Sequence, residues 1–374
     1  MLEDFLSAHN SQEKVVDIQI EPKKVYLVDE KDSLTLNFDF LLQGLTDRKL
    51  YIRFIKAAIY NENDKLITFM HLNHNGVGNP SINTLGIFEI EGKNALDIFN
   101  PFFRFSKNTP IKYLRYMFTI RDKETNEEFY YGNILVRPVK YKQKVKLSLP
   151  LKEKLVILDG NDFYSHHRRV SVSILKQFTN GMIKSNFNRY GLDLTVLGED
   201  GNTRKMDEDE KDKNYDFHFT NVKNFYTHEA IVYAPAEGEI VEVVDNLEDL
   251  YDAPFNSDEA VKENKLKELA GNYIIIKHND DEFSHLYHLL KGSSMVKVGD
   301  VVKRGQEIAK VGFSGASNVY SHLHYQLLDG SDIFNSNELP IKFSSVLQWQ
   351  GTEKIFYEEL TINTGDIIKQ EVKK

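Results

Sequence analysis

Apolar and polar residues alternate through much of the chain between residues 14 and 145. In the segment 33–40 the even positions from 34 onward are apolar and the odd positions are polar, and the segment 114–120 nearly repeats this pattern. Successive side chains of a strand point to opposite faces, so a period of two predicts half-buried strands. The polar turn 122–126 then leads to a second β-rich run at 129–139, which predicts a hairpin.

This N-terminal part has no sustained helical period. Several short strands separated by polar turns predict a β-sandwich of the immunoglobulin type over residues 1–145. His9, His71 and His74 lie in polar, loop-like sequence, so we expect them to be surface residues. Nothing in this part gathers side chains suited to catalysis.

Residues 146–374 predict a second, antiparallel β domain, and Gly, Asp and Asn residues punctuate its strands. Polar insertions near 198–224 and 245–270 interrupt it, and the charged first insertion is expected to be a solvated loop. In the second insertion, Ser257 followed by two acidic residues predicts an N-cap and a short helix to about Leu269. The predicted strands are Ala230–Tyr233, Ile240–Val244, Tyr273–His278, Phe283–His288, Glu307–Val311, His322–Leu328, Ile341–Leu347 and Lys354–Leu360.

Length and composition narrow the function classes. The 374 residues are too many for one ordinary domain, and the net charge of −9 disfavours nucleic acid as a partner. The absence of cysteine excludes disulfides and thiolate metal ligands. No run approaches the ~20 apolar residues of a membrane helix. The first residues lack the features of a secretory signal, so we expect either a cytosolic protein or an exported one whose signal is missing from this sequence.

Histidines concentrate in the second half, where nine of the twelve lie from His166 onward. The strongest local pattern is His322-Leu323-His324, because residues i and i+2 of a strand share a face and the two imidazoles would stand side by side. The alternative is a pair of solvated surface histidines. In the strand around His285 and His288, alternation places His285 with Tyr287 and turns His288 the other way.

A third histidine and an aspartate complete a possible site. A third histidine from the 283–288 strand can act as an acid or base beside a metal. Asp193, in a short apolar segment, can supply an oxygen ligand to zinc.

These residues resemble the lysostaphin-type, LytM-like zinc endopeptidases that hydrolyse peptidoglycan. The resemblance covers roughly residues 160–350, and the order and spacing of its markers match throughout. It implies a duplicated hybrid motif fold with a narrow groove over an antiparallel sheet and zinc on its floor. The markers are Tyr190-Gly191-Leu192-Asp193, Ala234-Pro235-Ala236-Glu237-Gly238, His285-Leu286-Tyr287-His288-Leu289, Val296-Lys297-Val298-Gly299-Asp300, Lys303-Arg304-Gly305-Gln306, Gly312-Phe313-Ser314-Gly315 and His322-Leu323-His324.

The resemblance also implies roles for individual residues. Asp193 and His324 match metal ligands, and His288 and His322 match the two catalytic histidines that do not bind the metal. His278 matches a strand-ending histidine of structural role, and His285 is expected to be either a supporting residue near the site or solvated.

The sequence departs from the family at the first zinc ligand. A histidine is usual four residues before the aspartate, but Arg189 stands there, and a guanidinium offers no lone pair. Another residue must supply the third ligand of a catalytic zinc, or the site is degenerate. We choose His167; the alternatives are His166, His228, Asn188, Asn186 and solvated histidines that bind nothing.

The resemblance therefore implies a zinc metalloendopeptidase of the cell envelope that cleaves peptide cross-links of bacterial peptidoglycan. The alternative is a catalytically degenerate protein of the same fold that binds the wall or regulates a partner hydrolase. A third interpretation starts from residues 296–306, which look like the hammerhead strands of a biotinyl or lipoyl carrier. Such carriers need a modifiable lysine, commonly within Met-Lys-Met, and that tripeptide is absent.

Overall fold

A computed structural model of the chain describes residues 13–74, 89–205, 222–251, 254–317 and 320–371. The chain divides into two compact units, one made of Met1–Tyr141 with Ser171–Phe178 and the other of Lys142–Val170 with Thr179–Lys374. Both consist mainly of antiparallel strands. Within the described ranges, no helix has both the length and the apolar character that crossing a membrane requires. His9 lies outside them.

The described part of the N-terminal unit forms three sheets, with strand orders β1-β4-β8, β11-β10-β5-β6 and β12-β2-β3-β9, and β7 pairs with β5. One short helix, α1 (Val172–Phe178), groups with this unit. The strands are β1 (Val16–Glu21), β2 (Tyr26–Asp29), β3 (Ser33–Leu36), β4 (Asp39–Gly44), β5 (Lys49–Tyr60), β6 (Leu66–Asn73), β7 (Ile90–Glu91), β8 (Ala95–Phe99), β9 (Arg104–Ser106), β10 (Tyr113–Asp122), β11 (Glu128–Val136) and β12 (Val139–Lys140).

The three sheets share one apolar core. Leu36 from β3, Phe40 from β4 and Phe118 from β10 belong to the same buried cluster, and the rings of Phe40 and Phe118 lie 4.9 Å apart, edge to face. The predicted hairpin is confirmed, since β10 and β11 pair antiparallel. The single strand predicted over 33–40 is wrong. Residues after Leu36 cross to another sheet, and both strands still direct apolar side chains into the common core.

The second unit is built on a ten-stranded sheet of order β19-β16-β17-β18-β21-β14-β13-β24-β22-β23, and β15 pairs with β20. The strands are β13 (Leu155–Asp159), β14 (Leu192–Val196), β15 (Ile231–Tyr233), β16 (Gly238–Val244), β17 (Asn272–Asn279), β18 (Glu282–Leu289), β19 (Val301–Val302), β20 (Glu307–Lys310), β21 (Leu323–Leu328), β22 (Phe343–Gln350), β23 (Glu353–Leu360) and β24 (Ile367–Gln370).

The polar insertions contain short helices. In the second insertion, α2 (Ser257–Lys262) is followed by a 3-10 turn at Leu266–Ala270, so the predicted continuous helix is wrong. Its N-cap is Asn256 rather than Ser257, because the Asn256 side chain accepts the hydrogen bond from the Glu259 N–H. In the first insertion residues 206–221 lie outside the described part, and a 3-10 turn at Val222–Asn224 buries Val222.

Candidate functional site

Four adjacent strands place functional side chains in one row across the large sheet. Asp159 of β13 pairs with Asp193 of β14, Asp193 pairs with His324 of β21, and His324 pairs with Tyr287 of β18. Directly opposite residues on neighbouring strands have side chains on the same face. The antiparallel registry therefore brings together residues that are more than a hundred positions apart in the sequence.

Asp193 lies at the centre of the cluster and is almost completely buried. Its Oδ1 lies 2.9 Å from His324 Nδ1 and 3.4 Å from His322 Nε2. Its Oδ2 accepts a hydrogen bond of 2.8 Å from the Tyr320 hydroxyl. Burial alone would raise the pKa of Asp193, but the imidazoles of His322, His167 and His324 outweigh burial and hold it well below its usual value. Asp193 is therefore a carboxylate.

His167 also faces Asp193 and is buried. Its Nδ1 lies 3.2 Å from the Gly191 carbonyl oxygen, which can only accept, so this nitrogen carries the proton. The Nε2 lone pair then faces Asp193 Oδ1 across 3.8 Å. Burial lowers the pKa of His167 to about 4, so the ring is neutral at physiological pH. A lone pair and a carboxylate at this distance leave room for a cation between them.

His288 and His322 stand next to His324, and potential metal-binding atoms of the three rings lie within 4.8 Å of one another. Each directs its Nδ1 at a backbone carbonyl oxygen, 2.9 Å from Ser314 O for His288 and 3.0 Å from Tyr320 O for His322. These bonds fix the proton on Nδ1 and leave Nε2 as an acceptor. Burial, aided by neighbouring imidazoles, lowers the pKa of both rings, so they are neutral acceptors.

His288 reaches the site through an unusual backbone conformation. Strand alternation predicted that its side chain would point away from Tyr287, yet its ring lies 4.9 Å from the His322 ring and 5.9 Å from the His324 ring. The prediction is wrong because His288 has a φ of 61°, in the left-handed region that breaks the alternation. A non-glycine residue in this region is strained and typical of functional sites.

The donors fit a zinc ion. Catalytic zinc takes nitrogen from histidine and oxygen from aspartate, usually three protein ligands, and ligating imidazoles donate their other N–H to a carbonyl or carboxylate. His167 meets both conditions, Asp193 is ionised and His324 Nδ1 lies beside it. In the described residues a second group of possible ligands, next to that of His288, His322 and His324, consists of Asp159, His166, His167 and Asp193.

Among the other proposed third ligands, His166 lies in the same group as Asp193 but its Nδ1 faces Asp159, and the structure does not bring His228, Asn186 or Asn188 to this position. The His228 Nε2 bonds with the Tyr251 hydroxyl at 3.0 Å, and His228 belongs to neither cluster among the described residues. The Asn186 side chain pairs with the Glu338 backbone, and the Asn188 side chain accepts a hydrogen bond from Gln326. Arg189 is buried, at 2% exposure.

His278 and His285 have supporting contacts. His278 bonds through one nitrogen to the Glu237 carbonyl and through the other to the Ser284 hydroxyl, in agreement with the expected structural role. His285 is fully buried, which excludes the solvated alternative. Its Nε2 donates to the Gly330 carbonyl, so its Nδ1 accepts from the Tyr287 hydroxyl at 2.9 Å. The Tyr287 ring in turn stacks on His324, with centroids 5.4 Å apart.

His285 should make stability depend on pH. Burial lowers its pKa to about 4 from an ordinary 6.5, so the unfolded chain binds the proton more readily. The stability that the neutral His285 ring contributes is complete above pH 6.5 and is lost as the pH falls toward 4. As the pH falls from 6.5 to 4, we expect the unfolding free energy of the metal-free unsubstituted chain to fall by about 3 kcal/mol more than that of the His285→Gln variant. Urea denaturation at each pH measures the unfolding free energy. The same dependence on pH in both proteins would contradict this prediction.

Sequence reasoning missed three contributors to the site. Tyr320 binds Asp193, Asp159 lies opposite it in the sheet, and the Glu338 carboxylate accepts the backbone N–H groups of Asn188 and Tyr190. Burial raises the pKa of Glu338 to about 7. A carboxylate that closes the apolar strand β13 was the one available signal for Asp159. Nothing local in the sequence distinguishes Glu338.

Comparisons with known proteins match one segment of the chain to a described family. Residues 221–336 match the family described as Peptidase family M23, which confirms the resemblance there. Peptidoglycan DD-endopeptidase ShyB of Vibrio cholerae serotype O1 is 44% identical over 59 residues, covering 16% of this chain and 13% of that protein. Lipoprotein NlpD of Yersinia enterocolitica is 44% identical over 57 residues, covering 15% and 55%. The chain thus spans less than two thirds of either relative.

Two solved structures were also matched. LytU is 25% identical, with 30% of this chain and 62% of that chain covered and a TM-score of 0.22. A zinc-containing peptidase from Vibrio cholerae is 17% identical, with 61% and 81% covered and a TM-score of 0.20. The family segment 221–336 includes His288, His322 and His324, whereas His167 and Asp193 precede it.

Proposed function

We propose, since residues 221–336 belong to Peptidase family M23, that the chain is a zinc metalloendopeptidase that hydrolyses peptide cross-links of bacterial peptidoglycan. The observation that carries the proposal is the set of imidazoles around the buried Asp193 carboxylate: His324, His322 and His167 all place a nitrogen within 3.8 Å of its Oδ1. Neutral imidazoles and a carboxylate are the donors that a hydrolytic zinc site needs.

We assign the metal to His167, Asp193 and His324. His167 takes the place of the missing ligand at Arg189, because its Nδ1–H is held by the Gly191 carbonyl and its Nε2 is directed toward Asp193. Tyr320 fixes the second carboxylate oxygen of Asp193. Bound zinc would act as a Lewis acid that polarises the scissile carbonyl and acidifies water.

His288 and His322 are the proposed acid and base. Both are neutral with Nε2 free to accept, so one accepts a proton from the attacking water. The imidazolium formed in this way then delivers that proton to the leaving amine, whereas the other ring can hydrogen-bond to the developing oxyanion only when its Nε2 carries a proton. Because their pKa values lie below the ordinary histidine value, both remain able to accept protons in mildly acidic solution.

A catalytically degenerate protein is the second candidate, and Arg189 favours it. A buried arginine occupies the position where the family places its first ligand. Such a protein would bind peptidoglycan or regulate a partner hydrolase without turnover. The four matching residues Asp193, His288, His322 and His324 argue for the enzyme, because a binding protein has no need of neutral acceptors beside a buried carboxylate.

The remaining assignments follow from the same proposal. The N-terminal part, residues 1–145, is an immunoglobulin-like β-sandwich that binds wall or a partner, and residues 146–374 form a lysostaphin-type domain with the duplicated hybrid motif. Three sheets around one core support the sandwich. The proposed substrate and the relatives named above support a cell-envelope location, and we propose the periplasm or the outside of the cell.

Hydrolysis of purified, cross-linked peptidoglycan tests the proposed function. We expect the protein to release new amino termini, to lose this activity on chelation and to recover it with about one equivalent of zinc. Mass spectrometry of the products identifies the bond that is cut. Near-stoichiometric zinc without hydrolysis would favour the degenerate candidate, and absence of zinc from gently purified protein would exclude the peptidase.

A further inference from the structure

One carboxylate anchors the segment that carries His166 and His167. Asp159, at the end of β13, is 3% exposed. It accepts a hydrogen bond from the His166 backbone N–H through Oδ1 and faces the His166 ring nitrogen Nδ1 through Oδ2 at 2.6 Å. Both carboxylate oxygens are therefore used on the residue immediately before His167.

These contacts continue into the proposed metal site. The His166 ring packs on the His167 ring with centroids 4.1 Å apart, and the His167 ring contacts the His324 ring at 4.7 Å. Among the described residues, the His167 side chain hydrogen-bonds to one group, the Gly191 carbonyl, at 3.2 Å. This bond fixes the tautomer of His167. The position of the 166–167 segment depends on its backbone, and Asp159 anchors that backbone.

The position of Asp159 destabilises the sheet unless another group compensates its charge. It lies directly opposite Asp193, so two buried carboxylates occupy neighbouring positions on one face of the sheet. Like charges directly opposite one another destabilise a sheet. The His166 imidazole, with its side chain 60% exposed, provides the compensating donor on the outer side of Asp159.

We propose that Asp159 is a positioning residue that holds the His166 segment so that His167 faces Asp193 as the third zinc ligand. The inference rests on the proposed function, because it assigns a role toward the same metal. It explains how this chain builds a three-ligand site although Arg189 replaces the usual histidine. Partners that orient metal ligands typically change metal affinity by 10–100-fold when removed.

Zinc affinity measured by competition with a chromophoric chelator tests the proposal. We expect Asp159→Ala to weaken zinc binding by about 10–100-fold. Asp159→Asn should stay within a few-fold of the unsubstituted chain, because the amide oxygen accepts the His166 N–H and the amide nitrogen donates to the ring. His166→Ala should fall between them, since it keeps the backbone bond. The His167 ring ¹⁵N shifts of metal-free protein report the ring's tautomer independently of activity.

Asp332→Ala is the matched control. The Asp332 carboxylate also holds a turn, by accepting the N–H groups of Phe334 and Asn335, but it lies outside both ligand clusters. Its removal should leave zinc affinity unchanged. Equal zinc affinity in Asp159→Ala and the unsubstituted chain would overturn the positioning role alone, and so would equal losses in Asp159→Asn and Asp159→Ala. Failure of the unsubstituted chain to bind zinc would overturn the proposed function as well.

Discussion

Replacement of His324 by alanine is expected to abolish zinc binding, from about one ion per chain to nearly none. Its Nδ1 lies 2.9 Å from Asp193 Oδ1, the shortest approach of an imidazole to that carboxylate in the described structure. Loss of this donor leaves two of the three proposed ligands, and catalytic zinc normally keeps three. Elemental analysis after dialysis against a weak chelator measures the bound metal.

His228→Ala serves as the control for the His324 experiment. His228 is another histidine of the same unit, its ring bonds to Tyr251, and the described structure places it in neither ligand cluster. It should retain zinc at the level of the unsubstituted chain. If His324→Ala kept a full equivalent of zinc while remaining folded, the proposed metal site would be wrong.

The pairing of His322 with His324 could be predicted because it depends on a local rule. Residues two apart in an extended segment share a face, and both rings lie close to Asp193 although β21 begins only at Leu323. His285 and Tyr287 follow the same rule, and their side chains bond to each other. Alternation failed at His288, because a single positive φ turns its ring to the face that the pattern excluded.

The residues that complete the site depend on non-local pairing. Asp159 meets Asp193 because β13 and β14 are neighbours in a particular register, and a shift of one residue would turn Asp159 to the other face. Periodicity within one strand carries no information on that register. The resemblance to a known family supplied Asp193 and His324. The choice of His167 rested only on a similar upstream histidine segment in some relatives, because the third ligand is where this chain departs from the usual pattern.

The split of residues 33–40 shows the same limit in the N-terminal unit. The alternating pattern predicts one strand, and the apolar side chains Leu36 and Phe40 are both buried. They belong to strands of different sheets that enclose one core. A pattern of burial thus predicts which face is apolar, whereas partner choice decides where one strand ends and the next begins.

Replacement of His322 by alanine is expected to lower peptidoglycan hydrolysis by roughly 10²–10⁴-fold while zinc is retained. Its Nε2 lies 3.4 Å from Asp193 Oδ1, and its Nδ1 is held by the Tyr320 carbonyl, which suits an acid or base beside the metal. Turnover and bound zinc are measured on the same preparation. Full activity in this variant would contradict the assignment of His322.

The same variant decides between the two possible donor sets. His288, His322 and His324 also lie close enough together to hold a metal without His167. If those three were the ligands, His322→Ala would lose zinc and His167→Ala would keep it. If His167, Asp193 and His324 are the ligands, the outcomes are reversed. The Asp193 carboxylate favours the second set, because it lies between His167 and His324 and needs a cation to balance its buried charge.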